Sequence, residues 1–208
     1  MVGAMLAGAL TWTLLEYVIH RWLGHDRRFL RNVFGVEHTL HHARGHYFAP
    51  SWKKALAAGV VLVAAGGPAV ALAGWEVGGG WAVGLVGFYL VYEVIHRLNH
   101  THAGWGPYGR WARRHHFYHH FHDPAVNHGV TSPLWDIAFG TRVAVEGPVR
   151  VPERLAMPWL IDPASGDVWP ALRGAYALRR PSRAGDAVDR ERGVGVEGAE
   201  AGPVVDVS

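Results

Sequence analysis

Three stretches of this chain are almost free of charge, and they restrict the folds open to it more than any other feature. Residues 1–19 carry one acidic or basic side chain, Glu16; residues 55–73 carry none; residues 75–95 carry only Glu76 and Glu93. A helix needs about 20 mostly apolar residues to cross a bilayer, because only a fully hydrogen-bonded backbone is tolerated there. The expected fold is all-α: an integral membrane helical bundle of about three spans, at about residues 1–20, 55–73 and 75–95. Gly66, Gly67 and Pro68 should kink the second.

The basic residues orient this bundle. Arg21 is the first in the chain; Arg27, Arg28, Arg31, Arg44, Lys53 and Lys54 follow in the loop after the first span, and the next is Arg97, just past the third. All lie on one side, which the positive-inside rule makes cytoplasmic. The amino terminus and the GWEVGGG turn then face the opposite side. The first span lacks a basic leader and a small-residue cleavage site and runs directly into His20, so it reads as a span and not as a signal peptide. Residues 96–150 are expected to form a helical cytoplasmic cap that completes a membrane domain over 1–150. Residues 151–180 read as a cytoplasmic extension, and 181–208, polar and without periodicity, as a flexible tail.

Ten of the 15 histidines fall into four clusters at the ends of these spans: His20 and His25; His38, His41 and His42; His96 and His100; His116, His119 and His120. Neutral imidazole binds zinc, iron, copper and nickel, and residues three or four apart share one helix face. One transition-metal ion takes about four to six ligands, so ten imidazoles suit a two-metal site better than a single closed one. His20 and His25 are about 140° apart on an α-helix, so the helix is expected to end near Gly24 for both to reach one ion. The clusters also repeat. EYVIHR (16–21) and YEVIHR (92–97) each end an apolar run, and each precedes a cluster containing a histidine doublet.

Four polar residues are candidates to support the ligands. Glu16 lies one turn before His20 and Glu93 three residues before His96, where a carboxylate could hold the far ring nitrogen. Asn127 and Asp136 could support imidazoles or cap the final helices, and capping is favoured. His46, His102, His115, His122 and His128 lack the pattern and read as hydrogen-bonding residues. Arg97, Arg113 and Arg114 could hold a lipid headgroup or a carrier's phosphate, although basic residues are ordinary at such an interface. No catalytic residue is expected beyond the metal centre, and no organic cofactor site. The chain has no cysteine, which excludes disulfides, thiolate ligands and a cysteine-held iron–sulfur cluster. Its net charge of +3 needs no nucleic acid to explain it.

All ten patterned histidines, in order and spacing, resemble the membrane fatty acid hydroxylase and sterol desaturase superfamily. The segment NHGVTSPLWDIAFGT (127–141) is similar to that family's closing signature, and LEYVIHRWLGH (15–25) is closest to its fatty acid hydroxylases. The resemblance covers about Thr11 to Thr141. It implies a cytoplasmic di-iron centre that uses O2 and external electrons to hydroxylate a fatty acyl lipid; zinc could occupy such a site without being the working ion, because it binds imidazole more tightly than ferrous iron. Members typically have four spans, and many carry a fused cytochrome b5 domain. Three spans and no haem-binding extension are read here, so the implied donor is a separate cytochrome b5-like protein, ferredoxin or reductase. The short gap from His25 to His38 is shared with carotenoid hydroxylases, which keeps a carotenoid or sterol hydroxylase or desaturase as the enzymatic alternative. A membrane metal transporter or a haem redox carrier is the non-enzymatic one; a transporter would place its ligands near the midplane of the spans.

Overall fold

The structure, a computed structural model, describes residues 1–29 and 31–181. Helix α1 (Val2–Val18) continues into a π-helical segment, Ile19–His25, and α2 (Val33–Arg44) follows. Next come α3 (Ser51–Val61), α4 (Gly67–Gly74) and α5 (Gly80–Thr101), joined by π-helical turns at Leu62–Gly66 and Trp75–Gly79. Two stretches, Val2–His25 and Ser51–Thr101, are long and apolar enough to cross a membrane. The second doubles back at Gly74, which takes φ +73°, a conformation that favours glycine. The wide turn at Leu62–Gly66 falls where the kink is expected, because Pro68 has no N–H to donate and its ring crowds the preceding turn.

Helices α1 and α5 run side by side in the same direction. Met5 meets Gly84, Gly8 meets Trp81, and Trp12 packs on Tyr89 and Tyr92. Their backbones touch: a Cβ on Gly8 would lie 2.0 Å from the Trp81 carbonyl oxygen, and one on Gly84 would lie 1.9 Å from that of Met5. Each glycine stands twelve residues before the first histidine of its half, His20 or His96. The repeat visible in the sequence is thus a near two-fold relation in space, centred on this small-residue contact.

Helix α6 (Gly106–Phe121) carries the last histidine cluster, and the short α7 (Leu134–Ala138) closes against α1 through a hydrogen bond from Trp135 Nε1 to Thr13 Oγ1 (2.9 Å). The structure corrects the all-α expectation beyond this point. Strand β1 (Val149–Pro152) pairs with β4 (Tyr176–Arg179), and β2 (Ile161–Asp162) pairs antiparallel with β3 (Asp167–Val168). The cause is alternation: Val149 and Val151 turn inward onto Phe117 and Phe121 of α6 while Arg150 turns out. Residues 151–178, read from the sequence as an extension, therefore build one apolar core with α6 and belong to the same compact unit. The tail expected at 181–208 lies, apart from Pro181, outside the described residues.

Candidate metal centre

Each histidine helix aims its side chains by local geometry. At about 100° per residue, His38 and His42 stand about 40° apart on α2, whereas His41 lies about 100° from His42. One point cannot receive all three. Two groups result. His20, His25, His38, His42 and His119 form one, and His41, His96, His100, His116 and His120 the other; within each group the candidate ligand atoms all lie within 4.8 Å of one another. Each half of the repeat thus supplies four members of one group and sends its middle histidine, His41 or His119, across to the other.

The first pair meets by a device the sequence does not announce. The helix does not end at Gly24; it widens into a π-helix through Ile19–His25. Five residues make roughly one turn there, so His25 comes under His20 with ring centroids 5.2 Å apart.

Backbone carbonyls, and not Glu16 or Glu93, fix the ring tautomers. His41 Nδ1 meets the Tyr47 carbonyl at 2.7 Å, His119 Nδ1 that of Val126 at 2.8 Å, and His20 Nδ1 that of His128 at 2.5 Å. A carbonyl only accepts, so Nδ1 carries the proton in all three and Nε2 of the neutral ring is a bare lone pair. Those bare atoms face other imidazole nitrogens. His41 Nε2 is 2.9 Å from His96 Nε2, and His25 Nε2 is 2.9 Å from both His38 Nε2 and His119 Nε2. His20 Nε2, His42 Nε2 and both nitrogens of His120 are buried without a hydrogen-bond partner. Lone pairs converging in a buried space suit a shared cation, so the residues present fit a metal pair well.

Burial keeps these rings neutral. It drives the pKa of His38, His42, His116, His119 and His120 well below the ordinary histidine value, helped by neighbouring imidazoles, and lowers His41 to about 4. Neutral imidazole is the form that binds metal.

The four polar candidates sit close by in other roles. Glu16 accepts from Val130 N, Thr131 N and Thr131 Oγ1, tying α1 to the closing loop, and Glu93 pairs with Lys54. Asn127, at φ +56°, exchanges hydrogen bonds with the Val143 backbone in both directions. Asp136 is fully buried and accepts from His128 N, Gly129 N and Thr141 Oγ1, each at 2.8 Å, with His115 Nε2 at 3.3 Å. Burial by itself would raise its pKa, but hydrogen bonds from His115, Gly129, Thr141 and His128 outweigh that and hold it below the usual value. Asp136 thereby fixes the His128 backbone whose carbonyl orients His20.

Among the unpatterned histidines, His128 belongs to this neighbourhood. Its ring lies 5.3 Å from that of His119 and 5.6 Å from that of His20. Its position beside Asn127, in the closing segment, was the only available signal. His115 faces Asp136, and His122 Nε2 accepts from Arg150 N.

An apolar cavity of about 350 Å³ opens between α1, α2, α3 and α5. Trp12, Val61, Leu85 and Val86 line its depth; His38, His41 and His96 reach it from the two histidine groups. Glu37, Lys53, Lys54 and Glu93 also line it, as two ion pairs, Lys53 with Glu37 and Lys54 with Glu93.

Comparison with known proteins agrees with this geometry. The profile of the fatty acid hydroxylase family matches residues 5–141. Dihydroceramide fatty acyl 2-hydroxylase FAH2 of Arabidopsis thaliana is 28% identical over 72% of this chain and 65% of its own length. Ceramide very long chain fatty acid hydroxylase SCS7 of Saccharomyces cerevisiae is 31% identical, over 68% of this chain and 38% of its own, and human fatty acid 2-hydroxylase is 30% identical, over 67% and 39%. The solved structure of full-length scs7p, in which only the hydroxylase domain is visible, superposes with a TM-score of 0.53 at 26% identity, covering 68% of this chain and 56% of that one. The chain thus spans about 38–65% of the length of these curated relatives. With a match across most of its helical part and every patterned histidine inside that match, the chain belongs to the fatty acid hydroxylase family.

Proposed function

We propose that this chain is a membrane-bound lipid hydroxylase that inserts one oxygen atom from O2 into a C–H bond of a fatty acyl lipid. The ten histidines would hold two iron ions, one group of five imidazoles serving each, and zinc could substitute because it binds imidazole more tightly than ferrous iron. The bound irons would supply the redox chemistry that activates O2 with electrons from a separate donor protein. The supporting observation is the convergence of both histidine groups on the end of one apolar cavity, at His38, His41 and His96.

The chain's own residues bind and aim the substrate. Trp12, Val61, Leu85 and Val86 accept the hydrocarbon and exclude water. The ion pairs of Lys53 and Lys54 lie at the same end as the histidines, so a lipid whose polar group rests there offers its first acyl carbons, and not its tail, for oxidation. Attack close to the acyl carbonyl is the regiochemistry named in the 2-hydroxylase relatives. Tyr47 and Val126 hold the protons of His41 and His119 at Nδ1, leaving each Nε2 free.

The membrane domain, residues 1–150, crosses the bilayer three times: once through α1 and twice through the hairpin of α3–α4 and α5. The histidine centre faces the cytoplasm, following the bias of basic residues. The transporter alternative fits less well, since His20 and His25 end the first apolar helix and His96 and His100 end α5, far from the middle of either.

The test is lipid mass spectrometry of cells expressing the wild type or His119→Ala. One added oxygen on acyl chains of the wild type, absent from the variant, is expected. Identical lipid profiles from well-expressed, iron-loaded proteins would overturn the proposal.

A further inference from the structure

A second cavity, of about 410 Å³, lies on the flank of α6 away from the substrate cleft and is lined by four arginines: Arg110, Arg113, Arg114 and Arg142. Among the described residues, none of these guanidinium groups has a carboxylate within 4.0 Å. No acidic residue lines the cavity. Four like charges around one hollow repel each other unless an anion joins them.

Two of the arginines are held in place for such an anion. Arg113 is fully buried; its Nε donates to the Asn99 carbonyl and its Nη1 to that of Ala103, and its guanidinium lies over the Trp159 ring at 4.8 Å and beside the Tyr176 hydroxyl, while Nη2 is buried with no hydrogen-bond partner of good geometry. Arg114 Nη2 donates to the carbonyls of Val145 and Gly147, while Nε is likewise buried and unpartnered. Neutral carbonyls anchor both groups without cancelling their charge. A buried cationic donor left open is costly unless something accepts from it. Arg110 and Arg142 stand at the exposed rim, and Trp111, Leu172 and Tyr176 supply an apolar and aromatic wall.

We propose that this cavity is a binding site for a phosphate-bearing ligand, distinct from the lipid cleft and independent of the proposed hydroxylation. Guanidinium forks match phosphate oxygens in pairs, which suits this donor set to a phosphate monoester better than to a carboxylate. The apolar wall takes the organic part of the molecule. Two sources offer that chemistry: the headgroup of an anionic lipid or a soluble phosphate ester.

Binding to the full-length, metal-loaded protein in detergent would be measured by calorimetry with glycerol 3-phosphate. In parallel, thermal unfolding would be followed in nanodiscs of phosphatidylcholine with or without phosphatidic acid. The comparison protein is Arg110→Gln/Arg142→Gln, which alters only rim side chains; Arg142→Gln alone serves if the double variant does not fold. Saturable binding of glycerol 3-phosphate that weakens at least about tenfold in the variant supports the site and a soluble ligand. Stabilisation by phosphatidic acid alone, lost in the variant, supports it and a lipid headgroup. Absence of both responses, or equal responses from wild type and variant, overturns the proposal.

Discussion

The imidazole rings of His42 and His120 lie face to face, centroids 3.9 Å apart and planes 1° from parallel. They occupy the same position in the two halves of the repeat, yet belong to different histidine groups, so the groups abut at this stack. Each should therefore be separable by mutation. His42→Ala is expected to empty one ion preferentially and His120→Ala the other, lowering the metal-to-protein ratio from near two toward one. Elemental analysis of the purified variants checks this; a ratio that stays near two in both would show that the groups do not act as separate ion sites.

The crossed histidines link the halves. His41→Ala and His119→Ala each remove from one group the candidate ligand that comes from the other half, and each orphans a carbonyl, of Tyr47 or Val126. Both should abolish hydroxylation while leaving measurable residual metal, because four imidazoles remain in the damaged group and five in the intact one. Activity above about one per cent of wild type in either variant would contradict a requirement for both ions.

The contact of Gly8 with Trp81, mirrored by Gly84 with Met5, sets the spacing of α1 and α5. Gly8→Ala or Gly84→Ala places a methyl against a carbonyl and must spread the helices. A loss of about 1–3 kcal/mol is expected, as for overpacked cores, with a lower unfolding temperature in detergent and weaker metal retention. An unchanged unfolding temperature would mean that the helices tolerate separation.

Asp136 holds the loop that orients His20. Asp136→Ala strips the acceptor from the buried N–H groups of His128 and Gly129, at about 1–3 kcal/mol for each unsatisfied donor. The variant is expected to unfold earlier and to bind metal at least about tenfold more weakly, as supporting groups around metal ligands generally do. Metal affinity equal to wild type in a folded Asp136→Ala protein would remove Asp136 from any role in positioning His20.

Acid should destabilise the metal-free protein. His41 and His128 each have a folded pKa of about 4, lowered chiefly by burial, against 6.5 for the free side chain. Below pH 6.5 the unfolded chain takes up protons first, so stability is complete above that value and falls as the pH drops toward 4. The slope is at most about 1.4 kcal/mol per pH unit for each histidine. Unfolding of chelator-treated protein at pH 7.5 and pH 5 measures it, and equal midpoints would contradict the burial of these rings.

Whatever depends on short-range periodicity can be read directly along the chain. Apolar runs of span length mark α1 and the α3–α5 hairpin, Pro68 marks the irregular turn, and i, i+3, i+4 spacing marks the histidines that come together. Such patterns are legible because they record a residue's angle on its own helix. The angle on the helix does not reveal what stands opposite. Packing between elements makes His41 and His119 cross between groups, puts carbonyls of Tyr47, Val126 and His128 in the place expected for Glu16 and Glu93, and brings the His128 ring beside those of His119 and His20. The π-helical turn that brings His25 under His20 and the packing of 149–178 onto α6 also depended on tertiary contacts. Each of these arises from a contact between segments distant in the chain, where the partner, and not the local spacing, sets the outcome.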